Sequence, residues 1–461
     1  MALELINPYN QSLIRRLEYH TGDALETKVE AASRAFGRWR TVPLQERIEQ
    51  VEEGLRRFRA NADAIAADVT RQMGKPLAQA EGEVRTLFQR AEHMLAIAPD
   101  ALAPDVQPEA DGLHRRIEHV PMGVVLDIAA WNYPLIIAVN VIVPALVAGN
   151  SVLVKHSAKT PLCGQAFEDA FGHLDVPDLV QNVVITHPQT AELIADPRVA
   201  YVSFTGSVDG GRAVHGEVAR RFIDVGLELG GKDPAYVAAD ADLEAAIAGT
   251  VDGACYNAGQ SCCAVERVYV HRSRYDEYLE GARVALEAYA IGDPMDSATT
   301  LGPLASRSAL DFLEGQVQDA LDRGGRLVTG GGRYADPPGS AGPGNFFQPT
   351  LLADVPNGAS AMQDESFGPI LPVLAVDDDD GALRHMNDTA FGLTASVWTA
   401  DRDRAEHFAR HLDAGTIYQN RCDVLDPALP WSGYRDSGKG STLSRYGYFH
   451  LTRRKALNFR G

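Results

Sequence analysis

The chain has 461 residues, 45% of them apolar and 23% charged, the make-up of an ordinary globular protein too long for one core, so two or three domains are expected. A formal net charge of −19 argues against nucleic acid or an anionic membrane as the main partner. The longest apolar run, Leu135 to Ala148, is interrupted by Asn140 and Pro144 and is too short to cross a bilayer, and Met1-Ala2-Leu3-Glu4 has no signal-peptide pattern.

In chain order, Thr27 to Leu95 predicts helix, because Ile48, Val51, Leu55 and Phe58 recur every three or four positions among Ala, Glu, Arg and Gln. A Pro/Asp-rich break from Pro104 to Asp111 follows, then a strand-like run through Val120 and Val124-Val125-Leu126 into the loop Ala130-Trp131-Asn132-Tyr133-Pro134. Strands are expected at Ser151 to Lys155, Asn182 to Ile185, Tyr201 to Phe204 and Ile223 to Leu229, with helices at Leu162 to Phe171, at Thr190 to Ala195 and after Gly206-Ser207. This alternation implies right-handed βαβ crossovers and a parallel sheet of the dinucleotide-binding kind. A second α/β block runs from Pro234 to about Asn420, with strand patterns at Arg267 to Val270, Ala375-Val376 and Ala395 to Trp398. Gly330 to Gly344 reads as an exposed loop, and Asp377 to Asp380 as a solvated turn rather than a metal site.

The chemistry concentrates in two short runs. Gly259-Gln260-Ser261-Cys262-Cys263-Ala264 offers a sulfur nucleophile, and Leu227-Glu228-Leu229-Gly230-Gly231-Lys232 a carboxylate that closes an apolar strand. Together they are the two groups that thioester chemistry needs. Taken singly, a free cysteine is usually inert and buried, and a lone glutamate is usually a surface charge. The five cysteines, Cys163, Cys255, Cys262, Cys263 and Cys422, lack metal-ligand spacing and fit a reducing cytoplasm better than a disulfide scaffold.

Both runs, in this order, resemble the signature segments of the NAD(P)-dependent aldehyde dehydrogenase superfamily, and matching segments extend from Gly74-Lys75-Pro76 to Gly447. The resemblance implies an α/β fold with a Rossmann-type cofactor domain (1–111 and 122–230), a catalytic domain (231–436) and a small β oligomerisation arm (112–121 and 437–461) that builds a homodimer or homotetramer. It makes Cys262, two residues after Gln260, the nucleophile, Glu228 the base for the hydrolytic water and Asn132 the donor to the developing oxyanion. It assigns Lys155 to the adenosine ribose with Trp131 on the adjacent wall, Gly206 and Ser207 to the pyrophosphate at a helix N-terminus, and Glu365 and Phe367 to the nicotinamide ribose and ring. Tyr133, Ile137, Asn140, Leu425 and Trp431 are the substrate-pocket candidates.

Three departures from the family pattern stand out: Ala158 replaces the usual ribose-clasping Glu, Thr186-His187-Pro188 replaces a Gly-rich turn, and Gly440-Ser441-Thr442 replaces Gly-Arg-Glu. Family frequency makes NAD the expected cofactor, and without that Glu NADP is a tolerated one. The branch acting on succinate semialdehyde tends to carry Arg where this chain has Asn140, so uncharged, largely apolar aldehydes are expected, with Arg421 as an alternative clamp. The rival functions are a CoA-acylating dehydrogenase, which Glu228 disfavours, and a nucleotide-binding protein without turnover.

Overall fold

The computed structural model describes residues 2–109, 111–334 and 344–460. A hairpin of β1 (Ala2–Ile6) and β2 (Leu13–Glu18) precedes four helices, α1 (Asp23–Trp39), α2 (Leu44–Ala60), α3 (Ala62–Met73) and α4 (Leu77–Ala101). The helical stretch therefore begins earlier and ends later than Thr27 to Leu95, and it restarts after Pro43, Asn61 and Pro76, each of which occupies an N-cap. The spacing that marks α2 works as anticipated: Ile48, Val51, Leu55 and Phe58 are all buried.

After β3 (Asp105–Val106) and β4 (Leu113–Pro121), the chain alternates β5 (Val124–Ala129), α5 (Pro134–Ala148), β6 (Ser151–His156), α6 (Pro161–Phe171), β7 (Val180–Asn182), α7 (His187–Ala195), β8 (Val199–Thr205), α8 (Val208–Val218) and β9 (Asp224–Glu228). These five strands are parallel in the order β9-β8-β5-β6-β7. The order reverses between β5 and β8, so the loops after their carboxyl ends, which carry Trp131-Asn132 and Gly206-Ser207, flank a topological switch point, the natural crevice for a ligand.

Two boundaries differ from expectation. The strand anticipated at Asn182 to Ile185 lies at Val180–Asn182, because the Val184 peptide is taken by His20: its carbonyl accepts from His20 N at 2.8 Å and its N–H donates to His20 Nδ1 at 3.0 Å. The next helix starts at His187 rather than Thr190, since Thr186 and Gln189 close a capping box at its N-terminus.

The second block comprises β10 (Asp233–Val237), α9 (Leu243–Cys255), β11 (Val265–His271), α10 (Tyr275–Glu287), α11 (Arg307–Asp322), β12 (Arg326–Thr329), β13 (Thr350–Ala353), α12 (Ser360–Gln363), β14 (Ile370–Val376), α13 (Asp379–Asn387), β15 (Thr394–Trp398), α14 (Arg402–His411) and β16 (Thr416–Gln419). Its seven-stranded sheet runs β12-β13-β14-β11-β10-β15-β16, antiparallel only at β12. Asp378 caps α13 through the Gly381 N–H. Of the Gly330 to Gly344 loop, residues 335–343 lie outside the described residues.

The C-terminal segment divides in a way the assignment of 437–461 to the arm does not allow. β17 (Gly438–Lys439) pairs antiparallel with β9, and α15 (Ser444–His450) packs on α4 and α5. Only β18 (Thr452–Arg460) pairs with β4, which β3 extends on its other side. Residues 437–451 thus belong with the first sheet, because Tyr448 and Leu451 are buried in its helical core.

α5 shows why the site is held firmly. All 15 of its residues are buried, as expected of a helix apolar all round. Its N-terminus is pinned by Glu83 of α4, whose Oε1 accepts from the N–H groups of Leu135 at 2.7 Å and Ile136 at 3.3 Å, while Lys75 forms a buried ion pair with the same carboxylate. Tyr133, Ile137 and Asn140 are fixed with it.

Candidate active site

Leaving α9, the chain turns through three consecutive left-handed residues, Asn257 (φ 54°), Ala258 (φ 55°) and Gly259 (φ 71°). Only glycine fits at the third, since a Cβ there would lie 2.3 Å from the Gly368 carbonyl oxygen. Asn257 Nδ2 donates to the carbonyls of Asn132 at 3.0 Å and Gln260 at 3.2 Å, and the Ala305 N–H donates to Gln260 Oε1 at 2.9 Å. Behind the turn, Gly231 passes so close to the Cys262 carbonyl that a Cβ would come within 2.3 Å. Strained residues of this kind persist only where several contacts over-determine them.

The turn separates the two adjacent cysteines. Cys262 is partly exposed and Cys263 is buried, where its Sγ donates to Asp423 Oδ1 at 2.8 Å. Hydrogen bonding to Cys262 and burial push the Cys263 thiol well above the usual range, which favours its protonated form. Burial likewise raises Asp423 to about 7.

Cys262 and Thr205 border two cavities. The larger, of about 730 Å³, is lined among others by Glu228, Tyr133, Ile137, Asn140, Leu425 and Trp431. The smaller, of about 220 Å³, is lined by Trp131, Asn132, Gly206, Ser207, Glu365 and Phe367 on its other side. Cys262 thus stands between two compartments of different character, one offering a base and a broad mixed wall, the other aromatic rings, glycines and a carboxylate.

Glu228 ends β9 with Oε2 accepting from Thr205 Oγ1 at 3.3 Å and Oε1 accepting from Thr442 Oγ1. Burial raises its pKa against the opposing effect of those two hydroxyls, the direction that suits a base working near neutral pH. Asn132 is buried, and its Nδ2 donates to the Gln260 carbonyl at 3.2 Å, which fixes the amide beside the turn that carries Cys262.

The aromatic, glycine and carboxylate lining of the smaller cavity suits the chemistry of a nicotinamide ring and its ribose. Trp131 and Phe367 meet edge to face at 5.5 Å, and Phe367 takes a left-handed φ of 51°, held by the N–H groups of Ser366 and Phe367 donating to Glu266 at 2.7 and 2.9 Å. Glu365 Oε1 accepts from Gly231 N at 3.1 Å, and burial beside Glu266 raises its carboxyl to about 8. Ser207 Oγ caps α8, accepting from Gly210 N at 3.2 Å, and its O–H and the free backbone N–H groups of the first turn are donors there. Lys155 does not line this cavity; it lies on β6 beside Ile128 of β5, and burial lowers its pKa. Lys159 Nζ lies 4.1 Å over the Trp131 ring, and burial brings it down to about 8.

Several contributors lie outside the motifs that mark the site in the sequence. Thr442, Asp423, Glu266 and Arg90 are joined to it from far along the chain, and no local pattern distinguishes them from ordinary polar residues. Only the departure from the family pattern at Gly440-Ser441-Thr442 singled out one of them.

The aldehyde dehydrogenase family model matches residues 1–457. Succinate-semialdehyde dehydrogenase [NADP(+)] of Deinococcus radiodurans is 34% identical over 98% of this chain and 94% of its own length, and betaine aldehyde dehydrogenase 1 of Rhizobium meliloti 35% identical over 99% and 93%. Among solved structures, lactaldehyde dehydrogenase of Escherichia coli superposes with a TM-score of 0.94 at 31% identity, covering 100% of this chain and 94% of the other. Succinic semialdehyde dehydrogenase of Streptococcus pyogenes, in complex with NADP+, gives 0.94 at 28% identity with 100% of both chains covered. The chain belongs to the aldehyde dehydrogenase family, and it is an NAD(P)-dependent oxidoreductase of aldehydes.

Proposed function

We propose that the aldehyde is oxidised to a carboxylic acid through covalent intermediates on Cys262. The observation that carries this is the position of Cys262 between the two cavities, with Glu228 lining one and Asn132, Glu365 and Phe367 the other. The Cys262 thiolate adds to the aldehyde carbon, and the oxygen of the resulting thiohemiacetal takes a hydrogen bond from the Asn132 amide. The nicotinamide, when bound, supplies the acceptor for the hydride that leaves this carbon. Glu228 then takes a proton from water, which attacks the thioester and frees Cys262 as the acid departs. A carboxylate base held by two threonine hydroxyls favours hydrolysis over transfer to an external thiol such as CoA.

Glu365, Phe367, Trp131 and the Gly206-Ser207 backbone hold the dinucleotide, with Lys155 and Lys159 toward the adenosine ribose. Among the described residues no carboxylate pairs with either lysine, and Ala158 between them adds none, so a 2′-phosphate is accommodated and NADP is used alongside NAD. The protein works in the cytoplasm as a homodimer or homotetramer through β4 and β18, with 122–230 forming most of the cofactor domain and 231–436 the catalytic domain.

Rapid mixing with a reactive aldehyde and NAD(P)+ tests this. A burst of NAD(P)H stoichiometric with Cys262, together with an acyl adduct on Cys262 after acid quenching, is expected. An adduct on Cys263, or a product that forms only with CoA, overturns it.

A further inference from the structure

Arg90 of α4 lines the larger cavity and is only 5% exposed. Among the described residues its one hydrogen bond is long, from Nη1 to Asn140 Oδ1 at 3.5 Å, and its buried Nε has no partner. Among the described residues no carboxylate forms an ion pair with it, because the nearby acids are already engaged. Glu83 is held by Lys75 and the N-terminus of α5, Glu228 by Thr205 and Thr442, and Asp423 by Ser261 and Cys263. A buried guanidinium without a counter-ion is costly, and an arriving carboxylate that takes two of its N–H groups removes that cost.

Burial lowers the pKa of Arg90, opposed by the nearby carboxylates of Glu228 and Glu83, which places the guanidinium close to the groups around Cys262. At the cavity rim lie two exposed cations, Arg85 and Arg421, and one exposed acid, Asp252, a locally cationic approach on a chain of net charge −19. The expectation of uncharged substrates rested on Asn140 standing where an arginine would mark a semialdehyde enzyme. In the folded chain a neighbouring helix brings an arginine against Asn140 itself.

We propose that Arg90 is the specificity-determining anion clamp of the aldehyde cavity, and that the preferred substrates are aldehydes bearing a carboxylate at the end remote from the formyl group. This rests on the assignment of Cys262 as the nucleophile, since both residues must face one substrate.

The test uses matched pairs, succinate semialdehyde against butanal and 4-carboxybenzaldehyde against benzaldehyde. In the wild-type enzyme kcat/KM for the charged member exceeds that for the neutral one by about tenfold or more in at least one pair. Arg90→Gln lowers that ratio by about 10²-fold, and Arg90→Lys restores part of it. Binding is read without turnover from alkylation of Cys262 by iodoacetamide: succinate slows it in the wild type and not in Arg90→Gln. Ratios near or below one in both wild-type pairs, or an equal fall for charged and neutral aldehydes in Arg90→Gln, overturn the proposal, the latter marking a role toward the thiolate or the fold. Should Arg90→Gln not fold, the wild-type ratios and succinate protection decide alone. If no aldehyde of either kind yields NAD(P)H, the assignment of Cys262 fails instead, while succinate protection still reports on Arg90.

Discussion

Two neighbouring sulfurs receive opposite roles from their surroundings. Cys262 opens onto both cavities, while Cys263 is buried on Asp423 and kept as a thiol. Cys262→Ser is therefore expected to abolish aldehyde oxidation while dinucleotide binding, read by fluorescence titration, survives; activity retained here but lost in Cys263→Ser reverses the assignment. Glu228 is the second decisive residue. A neutral amide cannot accept a proton from water, so Glu228→Gln is expected to slow thioester hydrolysis by roughly 10²- to 10⁴-fold and to leave a full NAD(P)H burst. Hydride transfer as the only slowed step refutes this. Burial raises the Glu228 pKa, so its base form is fully populated only above that raised value, and turnover limited by hydrolysis falls as pH is lowered through it. A pH profile of deacylation that stays flat down to the ordinary carboxylate range contradicts this.

At the level of elements, the turn between β6 and α6 places Lys155, Ala158 and Lys159 within five positions. Among the described residues neither ammonium group has a carboxylate partner, a setting that would suit a 2′-phosphate, whereas a carboxylate there would neutralise them and repel it. Ala158→Glu is expected to lower kcat/KM for NADP by about tenfold or more while NAD is spared; equal losses with both cofactors would place residue 158 away from the ribose. The same level explains the firmness of one wall of the larger cavity. α5 is pinned through Glu83 of α4 and Lys75 of the preceding loop, so Ile137 and Asn140 are presented on a rigid rod, with Tyr133 at its N-terminus.

On the scale of the whole molecule, β18 pairs with β4 along one edge and, among the described residues, no strand pairs with its other edge; most of its residues are exposed, Phe459 by 53%. An unprotected edge of this length is a template for pairing with another chain. A native mass of two or four times 49.8 kDa is expected by light scattering, and Phe459→Asp, which puts a charge on that edge, is expected to shift it toward one chain. An unchanged assembly in that variant places the interface elsewhere.

Short-range patterns carried much of this architecture. The three- and four-residue apolar spacing in α2, the β-branched runs of β6, β8 and β9, and the framing of Cys262 by Gly259 and Gln260 are local, because helix period, strand propensity and turn chemistry act over a few residues. Contacts between distant segments were not readable in this way. Thr442 reaches Glu228 only because β17 pairs with β9, and His20 claims the Val184 peptide and so shortens β7 at its far end. Arg90 meets Asn140 because α4 and α5 pack side by side. Which polar groups are desolvated and which find partners depends on how whole elements pack, and that same packing sets the charges of Cys263, Asp423, Glu228 and Glu365. The two runs that frame Glu228 and Cys262 were therefore legible locally, whereas the contact of Arg90 with Asn140 was decided by the packing of two helices.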